Sequence, residues 1–167
     1  MREAIGGVMS LQIIMIVLIV MNCYLAFSVN YTKAFRTKNE IRSIIEKNEG
    51  FTCSAADQIN QYMLETNYNI SEGYLDWCTS NGYDIARLNN GSFCYKKNKV
   101  DVSGTADINT TYKGSYYTVV TFVNLDLPLI NRVLPFAGNI FAVKGETALI
   151  YSSGNESEFS DGCAFSQ

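Results

Sequence analysis

Four cysteines are the residues of this 167-residue chain whose number and placement suit covalent chemistry. They are Cys53, Cys78, Cys94 and Cys163, while the fifth cysteine, Cys23, lies apart in an apolar stretch. An even number of cysteines in one small domain predicts two disulfides and an oxidising compartment. Cys78 and Cys94 can close a short loop, which leaves Cys53 for Cys163. Four cysteines permit three pairings, however, and their spacing does not choose among them.

Metal and acid–base chemistry have little support in the remaining residue types. The chain has no histidine, the commonest general base and transition-metal ligand. A four-thiolate zinc site usually takes its ligands in pairs two to four residues apart, and these cysteines form no such pair. Five aspartates that could form carboxylate pairs show no recognisable spacing: Asp57, Asp84, Asp101, Asp107 and Asp126. We therefore expect no enzymatic activity, no metal and no cofactor.

Composition and charge narrow the class of partner. The net charge is -3, and charged residues make up 17% of the chain, so hydroxyl and amide groups carry much of its polarity. The densest basic cluster is Lys96, Lys97 and Lys99. Binding to a phosphate backbone needs a stronger basic patch, and we expect no nucleic-acid partner.

An apolar segment at residues 8–29, called the apolar segment below, contains no charged side chain. Its strongly polar members are Gln12 and Asn22. Twenty-two helical residues span roughly 33 Å, enough to cross the hydrocarbon core of a bilayer. We predict a transmembrane helix here.

The helical pattern continues through residues 30–50, because apolar residues recur at three- and four-residue spacing with basic residues between them. The apolar set is Tyr31, Ala34, Phe35, Ile41, Ile44 and Ile45, and the basic set is Lys33, Arg36, Lys38, Arg42 and Lys47. One helix to about Asn48, stopped by Gly50, is the first interpretation. A break near Asn30 followed by a separate amphipathic helix is the alternative.

Three fates are open to the N-terminus. Ala26-Phe27-Ser28 resembles the cleavage site of a signal peptide, although the apolar run exceeds the usual length. A lipoprotein needs a small residue before its modified cysteine, and Asn22 precedes Cys23. In the third fate residues 1–7 form a leader that ends in Gly7, and Val8 begins the mature chain.

With this third arrangement, the N-terminal sequence resembles that of the type IV pilin-like proteins, most closely the TadE-like pseudopilins of tight-adherence pili. In that family a prepilin peptidase cuts after a glycine, and an apolar helix with Glu at its fifth position follows. Gly7, Val8 and the segment to Ile14 fit this frame, but Gln12 stands at the fifth position. The resemblance implies processing at Gly7 and Val8, with Gln12 as an assembly residue.

The C-terminal half shows a looser resemblance to the same family, in which a strand, a Pro-containing apolar link and a closing strand follow each other. The matching stretches are residues 116–123, 127–130 and 140–151. The resemblance implies a non-enzymatic minor subunit of a pilus or secretion filament, anchored in the cell membrane before assembly. Its implied partners are other pilin-like subunits, the membrane and a prepilin peptidase.

The remaining domain, residues 51–167, has mixed patterns. A helix is predicted over Ala55 to Glu65 with Ser54 as its N-cap, and a short helix after Ser71. Predicted strands cover residues 83–88, 92–95, 100–102, 116–123 and 140–151, with an Asn-Gly hairpin turn at residues 89–91. The predicted fold class is α+β, a long membrane-spanning helix whose second half packs on an antiparallel sheet.

The side of the membrane and the class of function each leave an alternative. Basic residues are more numerous after the apolar segment than before it, which favours a cytoplasmic domain. The paired-looking cysteines and hydroxyl-rich composition favour an extracytoplasmic one, which we expect. An uncleaved, membrane-anchored extracellular binding module is the alternative function, with four aromatic residues offered to a partner: Tyr74, Trp77, Tyr83 and Phe93.

Overall fold

The computed structural model describes residues 2–68, 70, 72–102, 112–123, 141–151 and 163, and it describes the backbone alone for residues 2–7, 101, 102, 112 and 113. The chain divides into two compact units. One comprises Met1–Lys33 and Leu125–Asn139, and the other comprises Ala34–Asn124 and Ile140–Gln167. The strands that the structure describes belong to the second unit.

The first element is one long helix, α1, over Arg2–Lys47. Its 46 residues correspond to a length of about 69 Å at 1.5 Å per residue. The prediction of a single helix through residue 30 is confirmed, and the alternative with a break near Asn30 is wrong. The helix also begins earlier than expected, since residues 2–7 are already helical.

The second half of α1 packs on the sheet through a face that differs in part from the predicted stripe. Its buried residues are Ala34, Thr37, Lys38, Ile41, Ile44 and Ile45. Phe35 was expected on this face but is 41% exposed, whereas Lys38 was expected among the outward basic residues and is buried. The stem of Lys38 crosses Gly145, where a Cβ atom would lie 2.7 Å from Lys38 Cδ, and its ammonium lies 4.2 Å from the Phe35 ring centroid. A lysine stem can cover apolar surface in this way.

The end of α1 is a Schellman motif in which glutamate takes the place usually held by glycine. Gly50 N donates to Ile45 O at 3.0 Å, and Glu49 N donates to Glu46 O at 3.3 Å. Glu49 has a φ of 52° and Gly50 a φ of 153°, so both lie in backbone regions that favour glycine. The expected stop at Gly50 is confirmed, with Glu49 as a second, strained participant.

Opposite effects are therefore expected from two neighbouring substitutions at this helix end. Glu49→Gly relieves the left-handed strain and should raise the free energy of unfolding by up to about 1 kcal/mol. Gly50→Ala places a Cβ atom in a strained backbone and should lower it by about 1 to 2 kcal/mol. Urea denaturation of the two variants measures both values. Equal signs for the two changes would contradict this geometry.

Two shorter helices follow: α2 over Cys53–Thr66 and α3 over Glu72–Ser80. Thr52 caps α2, because its hydroxyl oxygen accepts from Ala55 N at 3.2 Å. The prediction of Ser54 as the cap is wrong, since α2 begins before Ser54. The left-handed Asn67 ends α2 as expected, and the predicted cap of α3, Ser71, lies outside the described residues.

A five-stranded antiparallel sheet completes the fold, which confirms the α+β class. The strands are β1 Asp84–Leu88, β2 Gly91–Val102, β3 Tyr112–Phe122, β4 Ala142–Glu146 and β5 Ile150–Tyr151. They lie in the order β1-β2-β3-β4, and β5 also pairs with β3. The Pro-containing link at residues 127–130 and residue 140 lie outside the described residues.

Two of the strand predictions need correction. Residues 92–95 and 100–102 belong to one continuous strand, β2. The single predicted closing strand is divided into β4 and β5 around Thr147. Thr147 maintains the contact with β3 through both backbone and side chain: its N–H donates to Tyr117 O, and its hydroxyl accepts from Tyr117 N, each at 2.9 Å.

The predicted hairpin joins β1 to β2 through Asn89 and Asn90. Its glycine, Gly91, is required for close packing and not for the geometry of the turn. Neither asparagine has a positive φ, so the turn is not type I′. A Cβ atom on Gly91 would lie 2.7 Å from Tyr68 O, which leaves no space for a side chain. Asn90 N donates to Asn60 Oδ1 at 2.9 Å, so α2 holds the loop.

Tyr68 links the segment after α2 to the last residue of β3. Its hydroxyl accepts from Phe122 N at 2.8 Å and lies 3.1 Å from Phe122 O, to which it donates. The side chain is buried, and this burial raises the pKa of the Tyr68 hydroxyl above its usual value near 10. The pairing of β2 with β3 ends at Val120, so on that edge Tyr68 takes the place of a strand partner for the backbone N–H and C=O of Phe122.

Tyr68→Phe should lower the free energy of unfolding by about 2 kcal/mol at neutral pH, because it leaves two buried backbone groups unpaired. The folded-state pKa of Tyr68 is raised, so its stabilising effect is complete below the unfolded value near 10 and is lost as pH rises beyond it. The difference in the free energy of unfolding between wild type and variant, measured by urea denaturation, should therefore narrow above about pH 10. Tyr151→Phe, at an exposed tyrosine, is the control. A difference that stays constant with pH would contradict the assignment.

Candidate functional site

The apolar segment of α1 exposes large apolar side chains around its whole circumference. From Val8 to Met21 these side chains have exposed fractions between 52% and 68%. Soluble monomers rarely expose contiguous apolar patches beyond a few hundred Å². Within the described residues, α1 is the one helix long and apolar enough to cross a membrane. This surface is therefore the first candidate interaction site.

The polar residues of the apolar segment behave differently from one another. Asn22 Nδ2 donates to Leu18 O at 2.7 Å, so this amide is satisfied within its own helix. Gln12 lies on the exposed surface near the start of the segment.

Gly7 and Val8, the expected processing residues, lie inside α1. Cys23 carries a free thiol.

The four remaining cysteines form two disulfides. Cys78 on α3 is bonded to Cys94 on β2, with 6.2 Å between their Cα atoms. Cys53, the first residue of α2, is bonded to Cys163, with 5.5 Å between their Cα atoms. Of the three possible pairings, the structure has the one that closes the short loop. The four-thiolate zinc alternative is wrong, because these sulfurs are bonded to one another.

The acidic candidates are distributed over separate elements. Asp57 lies on α2 and Asp84 begins β1. The side chain of Asp101 and the whole of Asp107 and Asp126 lie outside what the structure describes. Among described side chains, no group of three or more Cys, Asp or Glu residues is arranged to hold a metal ion.

A polar groove on the sheet is the second candidate site, and the sequence analysis missed it. Its volume is about 510 Å³. The strand register explains its composition, because Lys96, Thr118 and Glu146 are cross-strand neighbours and share one face. The groove is lined by Tyr83, Lys96, Asn98, Tyr116, Thr118, Lys144, Gly145 and Glu146.

The groove lies on the sheet face opposite α1, beside α3. The Cys78–Cys94 disulfide and the contact of Phe122 with α3 cover one end of that face. In the other direction along the strands, alternate residues of β2, β3 and β4 form the polar lining. Asn98 Nδ2 donates to Thr118 Oγ1 at 3.1 Å in the middle of the groove.

The aromatic residues considered as a binding surface divide between core and groove. Phe93 is fully buried, and Tyr74 stacks on Phe122 with 4.9 Å between ring centroids. Trp77 and Tyr83 stack with their centroids 5.9 Å apart. Tyr83 is therefore the one member of this set that lines the groove.

The comparisons with known proteins add no family. The chain matches no protein-family model, no curated protein and no solved structure. The observations that bear on function are therefore the architecture of α1 and the residues of these two candidate sites.

Proposed function

We propose that the protein is a non-enzymatic, pilin-like minor subunit of a cell-envelope pilus or secretion filament. The observation that carries this proposal is the architecture of α1. One uninterrupted helix exposes apolar side chains over its first half and packs on an antiparallel sheet through its second half. A helix of this kind can be stored in a bilayer and then transferred into a bundle of similar helices.

In this proposal the apolar segment spans the cell membrane before assembly. Helix association in lipid depends on packing and interhelical hydrogen bonds, because lipid tails are as apolar as the side chains. Gln12 can hydrogen-bond a neighbouring subunit but brings no charge, so its contribution is smaller than that of a glutamate. This difference supports a minor or initiating subunit over the bulk subunit. A prepilin peptidase would remove residues 1–7.

We place the domain outside the cytoplasm on the support of its two disulfides, because such bonds persist in oxidising compartments. Thiol labelling of protein denatured directly from intact cells tests this position. Only Cys23 should react before reduction, and the other four cysteines should react after it. Labelling of all five without reduction would instead favour a cytoplasmic domain, as the basic residues after the apolar segment suggest.

Site-specific photo-cross-linking in the native cell tests assembly. A photoreactive residue at Ile16, in the exposed apolar surface, should give adducts with other pilin-like subunits. The matched control is Leu64, an exposed leucine on α2, which should not give the same adducts. Adducts with lipid alone at Ile16 would overturn the filament proposal.

The second candidate function is an uncleaved, membrane-anchored extracellular binding module, and the polar groove is the observation that favours it. In this case α1 serves as an anchor only. Retention of Met1 together with lipid-only adducts at Ile16 would select this function over the filament subunit.

A further inference from the structure

We propose that the polar groove binds an acidic carbohydrate, a saccharide chain that carries carboxylate groups. The inference rests on the proposed position of the domain outside the cytoplasm, where such chains are encountered. It applies equally to a filament subunit and to an anchored binding module. Three observations carry it: two ammonium groups that lie in no ion pair with a described residue, a lining of amide and hydroxyl groups, and half-exposed tyrosine rings.

The positive charge collects at the end of the groove near Tyr83. Lys144 Nζ lies 5.2 Å from the Tyr83 ring centroid and 5.4 Å from the Trp77 ring centroid, so two stacked rings hold this ammonium. Lys96 Nζ lies beside the turn that precedes Tyr83, 3.9 Å from the position of a Cβ atom on Gly82. Both ammonium groups are thus placed before a ligand arrives.

These ammonium groups are available to an anion. Within the described part of the chain, neither Lys96 nor Lys144 lies in an ion pair. The described lining has one carboxylate, Glu146, and two lysines, although the whole chain has a net charge of -3. A charge-assisted hydrogen bond from an ammonium to a ligand carboxylate is about twice as strong as a neutral one. Charge complementarity therefore favours an acidic ligand.

The rest of the lining fits a sugar better than a peptide. The lining residues that the structure describes include no aliphatic side chain, so they offer no pocket for the apolar residues that anchor most peptides. Asn98, Thr118 and Glu146 supply donors and acceptors for sugar hydroxyls. Tyr116 supplies a ring face for the C–H groups of a pyranose. The volume of about 510 Å³ lies within the range of small-ligand sites.

The groove is suited to binding and not to cleavage of such a chain. Glycoside hydrolysis normally uses a pair of carboxyl groups on either side of the bond, and among the described residues of the lining Glu146 is the one carboxylate. We therefore assign the groove the retention of a saccharide, as in attachment to a surface polymer.

The fluorescence of Trp77 can report binding, because Trp77 is the only tryptophan of the chain and stacks on Tyr83 beneath the Lys144 ammonium. Detergent-solubilised full chain is titrated with an oligogalacturonate while tryptophan fluorescence is followed. A neutral galactan of matched length and a polyglutamate peptide are titrated in parallel. We expect a saturable change with the acidic sugar, and a several-fold loss of affinity when salt is raised.

Matched variants locate the binding. Lys96→Gln and Lys144→Gln should each weaken binding of the acidic sugar by about tenfold. Lys99→Gln is the control, since Lys99 is an exposed lysine on the opposite face of the same strand. Tyr116→Ala should also weaken binding, while Tyr116→Phe should retain it.

Three results would overturn the inference. They are equal losses for Lys96→Gln and Lys99→Gln, equal binding of the neutral galactan, and tighter groove-dependent binding of polyglutamate. The last would reassign the groove to an acidic peptide. None of these results bears on cross-linking at Ile16, so failure of this inference is distinguishable from failure of the proposed function.

Discussion

Replacing Cys53 and Cys163 together by serine should lower the free energy of unfolding by about 5 kcal/mol. The disulfide joins residues separated by 110 positions, and the loop-entropy relation gives a loss of this size when such a loop is opened. The same relation predicts a loss of about 3 kcal/mol for Cys78 and Cys94, which are separated by 16 positions. Urea denaturation of the solubilised chain measures both.

The fifth cysteine provides the control for this comparison. Cys23 carries a free thiol, so Cys23→Ser should leave the free energy of unfolding unchanged. Equal losses for the two double variants would contradict the pairing of Cys53 with Cys163. In either alternative pairing, each double variant removes one cysteine from each disulfide, so both variants lose both bonds.

Two arginines in the apolar segment, Ile16→Arg with Val20→Arg, should remove the chain from the membrane. Each arginine near the centre of a transmembrane helix opposes insertion by about 3 kcal/mol, so the pair opposes it by about 6 kcal/mol. Extraction of cell membranes with alkaline carbonate measures the fraction retained. Wild type should remain in the pellet and the double variant should be released.

Leu64→Arg is the matched control for this loss, because Leu64 is as exposed as the residues of the apolar segment but lies on α2. It should leave the membrane fraction unchanged. Retention of the double arginine variant in the pellet would show that the apolar segment does not anchor the chain.

The elements predicted well from sequence are those whose pattern is local. The uninterrupted α1 follows from hydropathy and helical spacing. The hairpin between β1 and β2 was predicted at the right position, although Gly91 serves packing and not the turn type that the Asn-Gly pair indicated. The face of α1 was predicted less well, because burial of Lys38 depends on the bare backbone of Gly145 more than one hundred residues later. No helical periodicity contains that contact.

The divided predictions for β2 have a similar cause. Lys96, Lys97 and Lys99 interrupt the apolar alternation that identifies strands, yet pairing with β3 carries β2 through them. Lys96 and Asn98 face the groove, whereas Lys97 and Lys99 face the other side of the sheet. Polar residues at alternate positions of β2, β3 and β4 were the available indication of the groove, but their alignment requires the register of three strands.

The spacing of the cysteines alone could not decide the disulfide pairing either. Cys94 lies on a strand and Cys78 on a helix that covers the same sheet face, so their contact depends on how α3 packs. Thr52 replaced Ser54 as the cap of α2 for a more local reason. Both residues can cap a helix, and only the position of the first helical turn decides between them.

The most direct test of the proposed function is the intact mass of the protein purified from its own cells without reduction. We predict a chain that begins at Val8, with residues 1–7 removed, and a mass lowered by two hydrogens for each disulfide. A chain that retains Met1, or one that begins near Val29, would contradict the pilin-like assignment.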